Sequence, residues 1–148
     1  IRERLGDGEC AAAAALLGRP YAIRGKVVHG QARGRLLGFP TANLLPEQPY
    51  VIPRTGVYAV TAAIVGEQGR LSPAYPAVLN VGYRPTFEAP MGELKLEAHL
   101  LDFEDDLYGR ELELTFRAFL RDEQKFASID DLIAQIGKDV GRARLILA

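Results

Sequence analysis

Residues Glu111-Leu112-Glu113-Leu114-Thr115-Phe116-Arg117-Ala118-Phe119-Leu120 alternate strictly at first: Leu112, Leu114, Phe116 and Ala118 share one face, and Glu113, Thr115 and Arg117 the other. A period of two describes a strand with one face in a core and the other in water. Working back along the chain, Tyr21–His29, Gly56–Val65, Pro76–Val81 and Leu94–Phe103 carry the same β-branched and aromatic texture, broken by glycine and proline. No run of helical period separates these segments. Without crossover helices the strands must be mainly antiparallel, and such a series of strands in about 100 residues predicts a closed or nearly closed barrel rather than a doubly wound sheet.

Helices are expected only at the two ends. After Asp7, the run Glu9-Cys10-Ala11 to Leu17 is rich in strong helix formers and stops at Gly18, with Pro20 just beyond, which predicts a short helix with a glycine C-cap packed on the outside of the barrel. Downstream, Ser128-Ile129-Asp130-Asp131 reads as a capping box, and Ile129, Leu132, Ile133, Ile136 and Val140 recur on one helical stripe. That amphipathic helix should lie against the barrel.

The chain has 148 residues, 48% of them hydrophobic, with 18 Lys+Arg against 19 Asp+Glu. This suits one globular domain with a real core and excludes disorder or collagen-like repetition. A formal net charge of −1 offers no broad field for a polyanion, so any phosphate recognition must be local, and no nucleic-acid partner is expected. No apolar run approaches the roughly 20 residues of a membrane-spanning helix, so no membrane partner is expected either. The single cysteine, Cys10, excludes an intrachain disulfide and fits a reducing cytoplasm.

Three segments could carry chemistry. The first, GKVVHGQARGRLLGFPTANL (residues 25–44), follows a strand and holds Gly25, Gly30, Gly34 and Gly38 with Arg33 and Arg35. Glycines let backbone N–H groups approach a phosphate closely, although turn glycines of an ordinary barrel loop give the same composition, and no GxxxxGK[ST] loop is present. At its end, Pro40 precedes Thr41 and Asn43, whose oxygens at i, i+2 point to one side of an extended segment and suit a hard cation such as magnesium beside ATP phosphates. The second segment is the strand Leu94–Phe103, where Glu97 and His99 share a face, either as a general base at a barrel mouth or as a solvated edge. The third, Asn80-Val81-Gly82-Tyr83-Arg84-Pro85-Thr86-Phe87, could close over a flat ring system or form an ordinary packed turn.

Taken together, GKVVHGQARGRLLGFPTANL, GVYAV (56–60), NVGYRPTF (80–87), LEAHLLDFEDDLYGREL (96–112) and FLRDEQKFASIDDLIAQI (119–136) resemble, in order and spacing, the riboflavin kinase module of bacterial bifunctional FAD synthetases. The resemblance runs from Leu17 to the end of the chain. It implies a mainly β fold, a six-stranded antiparallel barrel with a short N-terminal helix and a C-terminal amphipathic helix. It also implies transfer of the ATP γ-phosphate to the ribityl 5′-hydroxyl of riboflavin, giving FMN and ADP. By that resemblance Thr41 and Asn43 hold magnesium and phosphates, and Glu97 is the catalytic base. The loop residues Gly25, Lys26, Gly30, Gly34, Gly38, Phe39 and Pro40 cover the nucleotide, and Asn80, Arg84 and Arg121 belong to flavin-side elements. Residues 1–18 resemble the tail of a preceding FMN adenylyltransferase module, leaving 19–148 as the kinase domain; a chain of this extent is expected to make FMN but not FAD. The proline-rich stretch Pro46 to Arg54 looks like an insertion near the rim. The rival reading is a flavin- or nucleotide-binding barrel without catalysis.

Overall fold

The computed structural model describes residues 1–28, 41–84, 87–88, 90, 92–103 and 106–147. Two short helices, α1 (Arg2–Gly6) and α2 (Cys10–Leu17), lead into β1 (Ala22–Val28), β2 (Ala42–Pro46), β3 (Gly56–Val65), β4 (Tyr75–Arg84), β5 (Glu93–Leu100) and β6 (Glu111–Arg121), and the chain ends in α3 (Ile129–Leu147). The six strands close an antiparallel barrel in the order β1-β2-β5-β4-β3-β6. The expected architecture therefore holds. No helix among the described residues is long and apolar enough to cross a membrane.

Alternation explains the interior. Ile23, Val27, Leu44, Tyr58, Val60, Leu79, Val81, Leu96, Leu112, Leu114 and Phe116 point inward and form one buried cluster. Tyr58 sits edge-on to Phe116 (centroids 5.0 Å) and Phe119 (5.2 Å), and its hydroxyl donates to the Arg54 carbonyl. That bond satisfies the polar end of a ring otherwise surrounded by hydrocarbon. Burial raises the Tyr58 phenol far above its ordinary range. Gly25 is needed where it stands, because a Cβ there would meet the Leu45 carbonyl oxygen at 2.8 Å.

The inward alternation of β6 does not run its whole length. Val60 pairs with Phe116, Ala59 with Ala118, Tyr58 with Phe119 and Val57 with Arg121, so the ladder skips Arg117 and Leu120. At each bulge two residues of β6 oppose one of β3. Ala118, expected inside with Phe116, consequently faces outward into a second cluster with Val57, Ala59, Leu120 and Ala143 of α3, while Phe119 packs on the interior. This second cluster is why β3 is buried on both faces and why α3 has a seat.

The N-terminal helices differ from expectation in position. Cys10 of α2 belongs to the interior cluster, Ala13 and Leu5 are buried, and the Arg54 N–H donates to the Leu5 carbonyl. Rather than lying on the outer wall, α2 packs in at the end of the barrel where β3 starts and β6 finishes. Its C-cap Gly18 is left-handed (φ 79°), as the sequence predicts, but Asp7 closes α1 and the N-cap of α2 is Glu9. The stretch after β2 joins the same closure: Tyr50 and Ile52 pack against the interior, and the Tyr21 hydroxyl donates to the Val51 carbonyl.

Candidate active site

Strand pairing alone assembles a transverse row on the outer wall of the barrel. Asn43 of β2 lies opposite Glu97 of β5, Glu97 opposite Asn80 of β4, Asn80 opposite Val57 of β3, and Val57 opposite Arg121 of β6. Directly opposed residues share a face. Here that face is outward, because Leu96 and Ala98 on either side of Glu97 belong to the interior.

Over this wall stands α3 with the segment that leads into it, leaving a cavity of about 760 Å³. Thr41, Asn80, Lys95, Glu97, His99 and Arg121 border it from the barrel, and Phe126, Ile129, Leu132, Ile136 and Asp139 from the helical side. The predicted apolar stripe of α3 is real, but Leu132, Ile133, Ile136 and Val140 are only half-buried, and Ile129 is 56% exposed. The stripe serves as a cavity wall. Ser128 caps the helix with its Oγ accepting from the Asp131 N–H at 3.1 Å, as expected for the first half of a capping box.

Two features give the cavity its polarity. Glu97 forms an ion pair with Lys95 (3.4 Å), both side chains largely sheltered. Asn80 has its side-chain oxygen buried with no hydrogen-bond partner among the described residues, an arrangement that costs free energy until a donor meets it. Gly82 shapes the edge of the site: a Cβ there would stand 2.6 Å from Glu123 Oε2, so its absence admits the Glu123 carboxylate over β4.

At the far end of the row, all three nitrogens of the Arg121 guanidinium donate within the protein. Its Nε donates to Asp139 Oδ1 and Oδ2 (3.0 and 3.1 Å), Nη2 to Oδ2 (2.8 Å) and Nη1 to the Asp122 carbonyl (3.0 Å). Gln135 Nε2 adds a third donor nitrogen to Asp139 at 3.0 Å, and the Arg121 guanidinium lies 5.8 Å from the Phe126 ring centroid.

The residues proposed from sequence are thus partly gathered. Thr41, Asn80, Glu97 and Arg121 border one cavity, with Asn43 at the end of the same row but not among its lining. Gly25 and Lys26 sit on β1 away from the cavity, Lys26 exposed and paired with Leu45 and Glu111, and Arg84 is exposed at the end of β4. Gly30, Gly34, Gly38, Phe39 and Pro40, with Arg33 and Arg35, lie outside the described residues. Sequence reasoning missed Lys95, although it shares the Glu97–His99 face two positions earlier, and Asp139, a carboxylate at a stripe position between Ile136 and Ala143.

Among the described residues there is no group of three or more His, Cys, Asp or Glu side chains able to hold a metal ion. What the site does offer a cation is neutral oxygen, from Thr41 at the cavity and Asn43 beside Glu97. This donor set fits magnesium that takes most of its ligands from phosphates and water.

A family model for riboflavin kinase matches residues 17–147. The chain belongs to the riboflavin kinase family. It is 46% identical over 144 residues to the bifunctional riboflavin kinase/FMN adenylyltransferase of Escherichia coli strain K12, a match covering 97% of this chain and 44% of that protein. Riboflavin kinase from Trypanosoma brucei superposes with a TM-score of 0.60 at 29% identity, over 86% of this chain and 77% of that one. A Streptococcus pneumoniae chain described as a macrolide-efflux protein superposes with a TM-score of 0.86 at 38% identity, over 97% of this chain and 44% of that one. The riboflavin kinase domain seen here therefore spans less than half the length of the curated relative it matches.

Proposed function

We propose that this domain transfers the terminal phosphoryl group of ATP to the ribityl 5′-hydroxyl of riboflavin, giving FMN and ADP, in the cavity between barrel and α3. The row Asn43–Glu97–Asn80 carries the reading, since it sets a carboxylate beside the Asn80 amide at one wall of a cavity that is apolar on the other, with Asn43 next in register. A flat, largely apolar ring system suits the Leu132–Ile136 side, and a polyhydroxylated chain suits the row, where the unpartnered Asn80 oxygen would accept from a ribityl hydroxyl.

Glu97 is assigned the proton. As the 5′-oxygen bonds to the γ-phosphorus and the bond from that phosphorus to the β,γ-bridging oxygen breaks, the hydroxyl proton passes to the Glu97 carboxylate. Lys95, now paired with Glu97, places a positive charge beside the transferring group. Thr41 and Asn43 would hold magnesium together with the nucleotide phosphates, and magnesium when bound supplies charge neutralisation. Positioning supplies much of the remaining acceleration, because phosphoryl transfer asks little covalent help of a protein.

We further assign residues 1–18 to the connection with a preceding FMN adenylyltransferase module, 19–148 to the kinase, and the protein to a reducing cytoplasm. The relative from Escherichia coli carries both names, and the lone cysteine is buried. The test is chromatographic: the purified 148-residue chain with riboflavin, ATP and magnesium should yield FMN, and with FMN as substrate no FAD above a protein-free control. Riboflavin binding without FMN formation would favour the non-catalytic barrel.

A further inference from the structure

We propose that Arg121 and Asp139 are a positioning pair, which fixes the α3 wall against the barrel and thereby sets the affinity for the ring system of riboflavin, without Arg121 touching the substrate. The inference rests on the placement of riboflavin in the cavity. Three observations carry it.

The first is pairing. Nε and Nη2 of Arg121 are turned to Asp139 and Nη1 to the Asp122 carbonyl, so the edge of the guanidinium that matches a carboxylate is taken by Asp139. The second is distance along the wall. From Glu97 to Arg121 the row crosses three interstrand spacings, β5 to β4 to β3 to β6, or about 14 Å at about 4.8 Å each. Arg121 therefore borders the cavity from a strand that does not adjoin the one carrying Glu97. The third is leverage. Asp139 is 2% exposed and is the only buried charged residue among the described ones, and it lies on the face of α3 that Leu132 and Ile136 extend along the cavity. A fork-to-carboxylate pair fixes both distance and angle, whereas the half-buried apolar side chains of that face fix neither.

A second ion pair provides the control. Arg144 near the end of α3 donates from both Nη atoms to Asp102 (2.9 and 3.0 Å), tethering the same helix away from the cavity.

The test compares Arg121→Lys, Asp139→Asn, their combination, Gln135→Ala and Asp102→Asn with the parent by steady-state kinetics, with circular dichroism to confirm folding. Arg121→Lys keeps the charge and loses the fork. Asp139→Asn and Arg121→Lys should each raise the riboflavin KM by about tenfold or more, the loss of a charge-assisted hydrogen bond. The ATP KM and kcat should change little, and the combination should be no worse than the worse single variant. Gln135→Ala, which keeps the ion pair, should raise the riboflavin KM in the same direction by a smaller factor, and it decides the matter if the buried-pair variants do not fold. Asp102→Asn should leave the riboflavin KM unchanged. A riboflavin KM that rises in Arg121→Lys but stays at the parent value in Asp139→Asn and Gln135→Ala overturns the proposal, because Arg121 would then act on the ligand directly. An inactive parent would instead overturn the assigned reaction.

Discussion

Helices meet this barrel in two places, and they meet it differently. At the end where β3 begins, α1 and α2 are pressed against the barrel: Cys10 of α2 joins the main cluster, and Leu5 of α1 and Ala13 of α2 are as buried as any core residue. Along the side wall, α3 touches down through Ala143 and the Arg121–Asp139 pair, while its Leu132 and Ile136 remain half-buried over a cavity. Close packing leaves no room for a ligand, so the first contact contributes stability. The second holds a helix at a fixed distance by ionic and hydrogen-bonded pins, which leaves its apolar face available to a substrate. The same polypeptide chemistry makes a plug where small residues meet the barrel and a binding wall where a charged pair does.

This contrast can be broken most forcefully at Leu5. Leu5→Ala should cost about 2–5 kcal/mol of unfolding free energy, the usual range for a buried leucine, with turnover per folded molecule unchanged. Denaturant melts alongside FMN formation check it, and a selective loss of kcat would show that the plug is part of the catalytic apparatus. The converse change is Glu97→Gln, which keeps size and hydrogen-bonding reach but removes the proton acceptor. Turnover should fall about 100-fold or more with the melting curve and substrate binding preserved. His99→Gln is its companion on the same strand face; if that variant loses turnover while Glu97→Gln does not, the histidine is the base.

Asn43→Ala sharpens the contrast within the wall itself. Loss of one neutral oxygen donor should weaken magnesium-dependent ATP binding by about tenfold in calorimetry, with riboflavin affinity retained. An unchanged ATP titration would remove Asn43 from the nucleotide side.

The remaining contrast is a pH dependence of the plug. Burial pushes the Cys10 thiol up to about 11 from an ordinary value near 9. The folded protein keeps this proton where the unfolded chain loses it, so the stabilisation is complete below pH 9 and declines as pH rises from 9 to 11. Denaturant midpoints across that window should fall, and Cys10→Ala should flatten the early part of the fall. Burial also raises Tyr21 and Tyr58, whose own contributions begin above pH 10. A parent midpoint constant to pH 11 would mean that Cys10 is more open to water than its packing shows.

Most of the barrel was legible from period two. Gly56–Val65 is found at the expected limits and Glu111–Leu120 within a residue of its own, while the C-terminal helix begins with its stripe at Ile129 and runs on past Val140 to Leu147. The facing of Ala118 was not, because alternation assumes an unbroken ladder, and a bulge is decided by the partner strand. Nor was β2, since its few residues after Pro40 show extended geometry but not whom they pair with. Of the site, Thr41, Asn80 and Glu97 could be singled out one by one, yet nothing in their separate segments says that register aligns Asn43, Glu97 and Asn80. Asp139 escaped for a different reason. A stripe is recognised by its apolar members, and a carboxylate among them looks like an interruption until its arginine, 18 positions earlier in the sequence, is seen to complete it.

The two bulges of β6 have a consequence for shape. Between the partners of Val60 and Val57, β3 advances three residues and β6 five, from Phe116 to Arg121. The surplus is about 7 Å of contour at roughly 3.3 Å per residue, and chain that cannot run straight beside a shorter neighbour must coil. The wall beneath α3 is therefore curved rather than flat. The carbonyl of Leu120, one of the two residues skipped by the ladder, accepts instead from Arg142 of α3 at 2.7 Å. Slack in one strand thus becomes an attachment point for the helix, and deleting Arg117 and Leu120 together would restore a regular ladder with Ala118, Phe119 and Arg121 opposite their present partners while taking that curvature away.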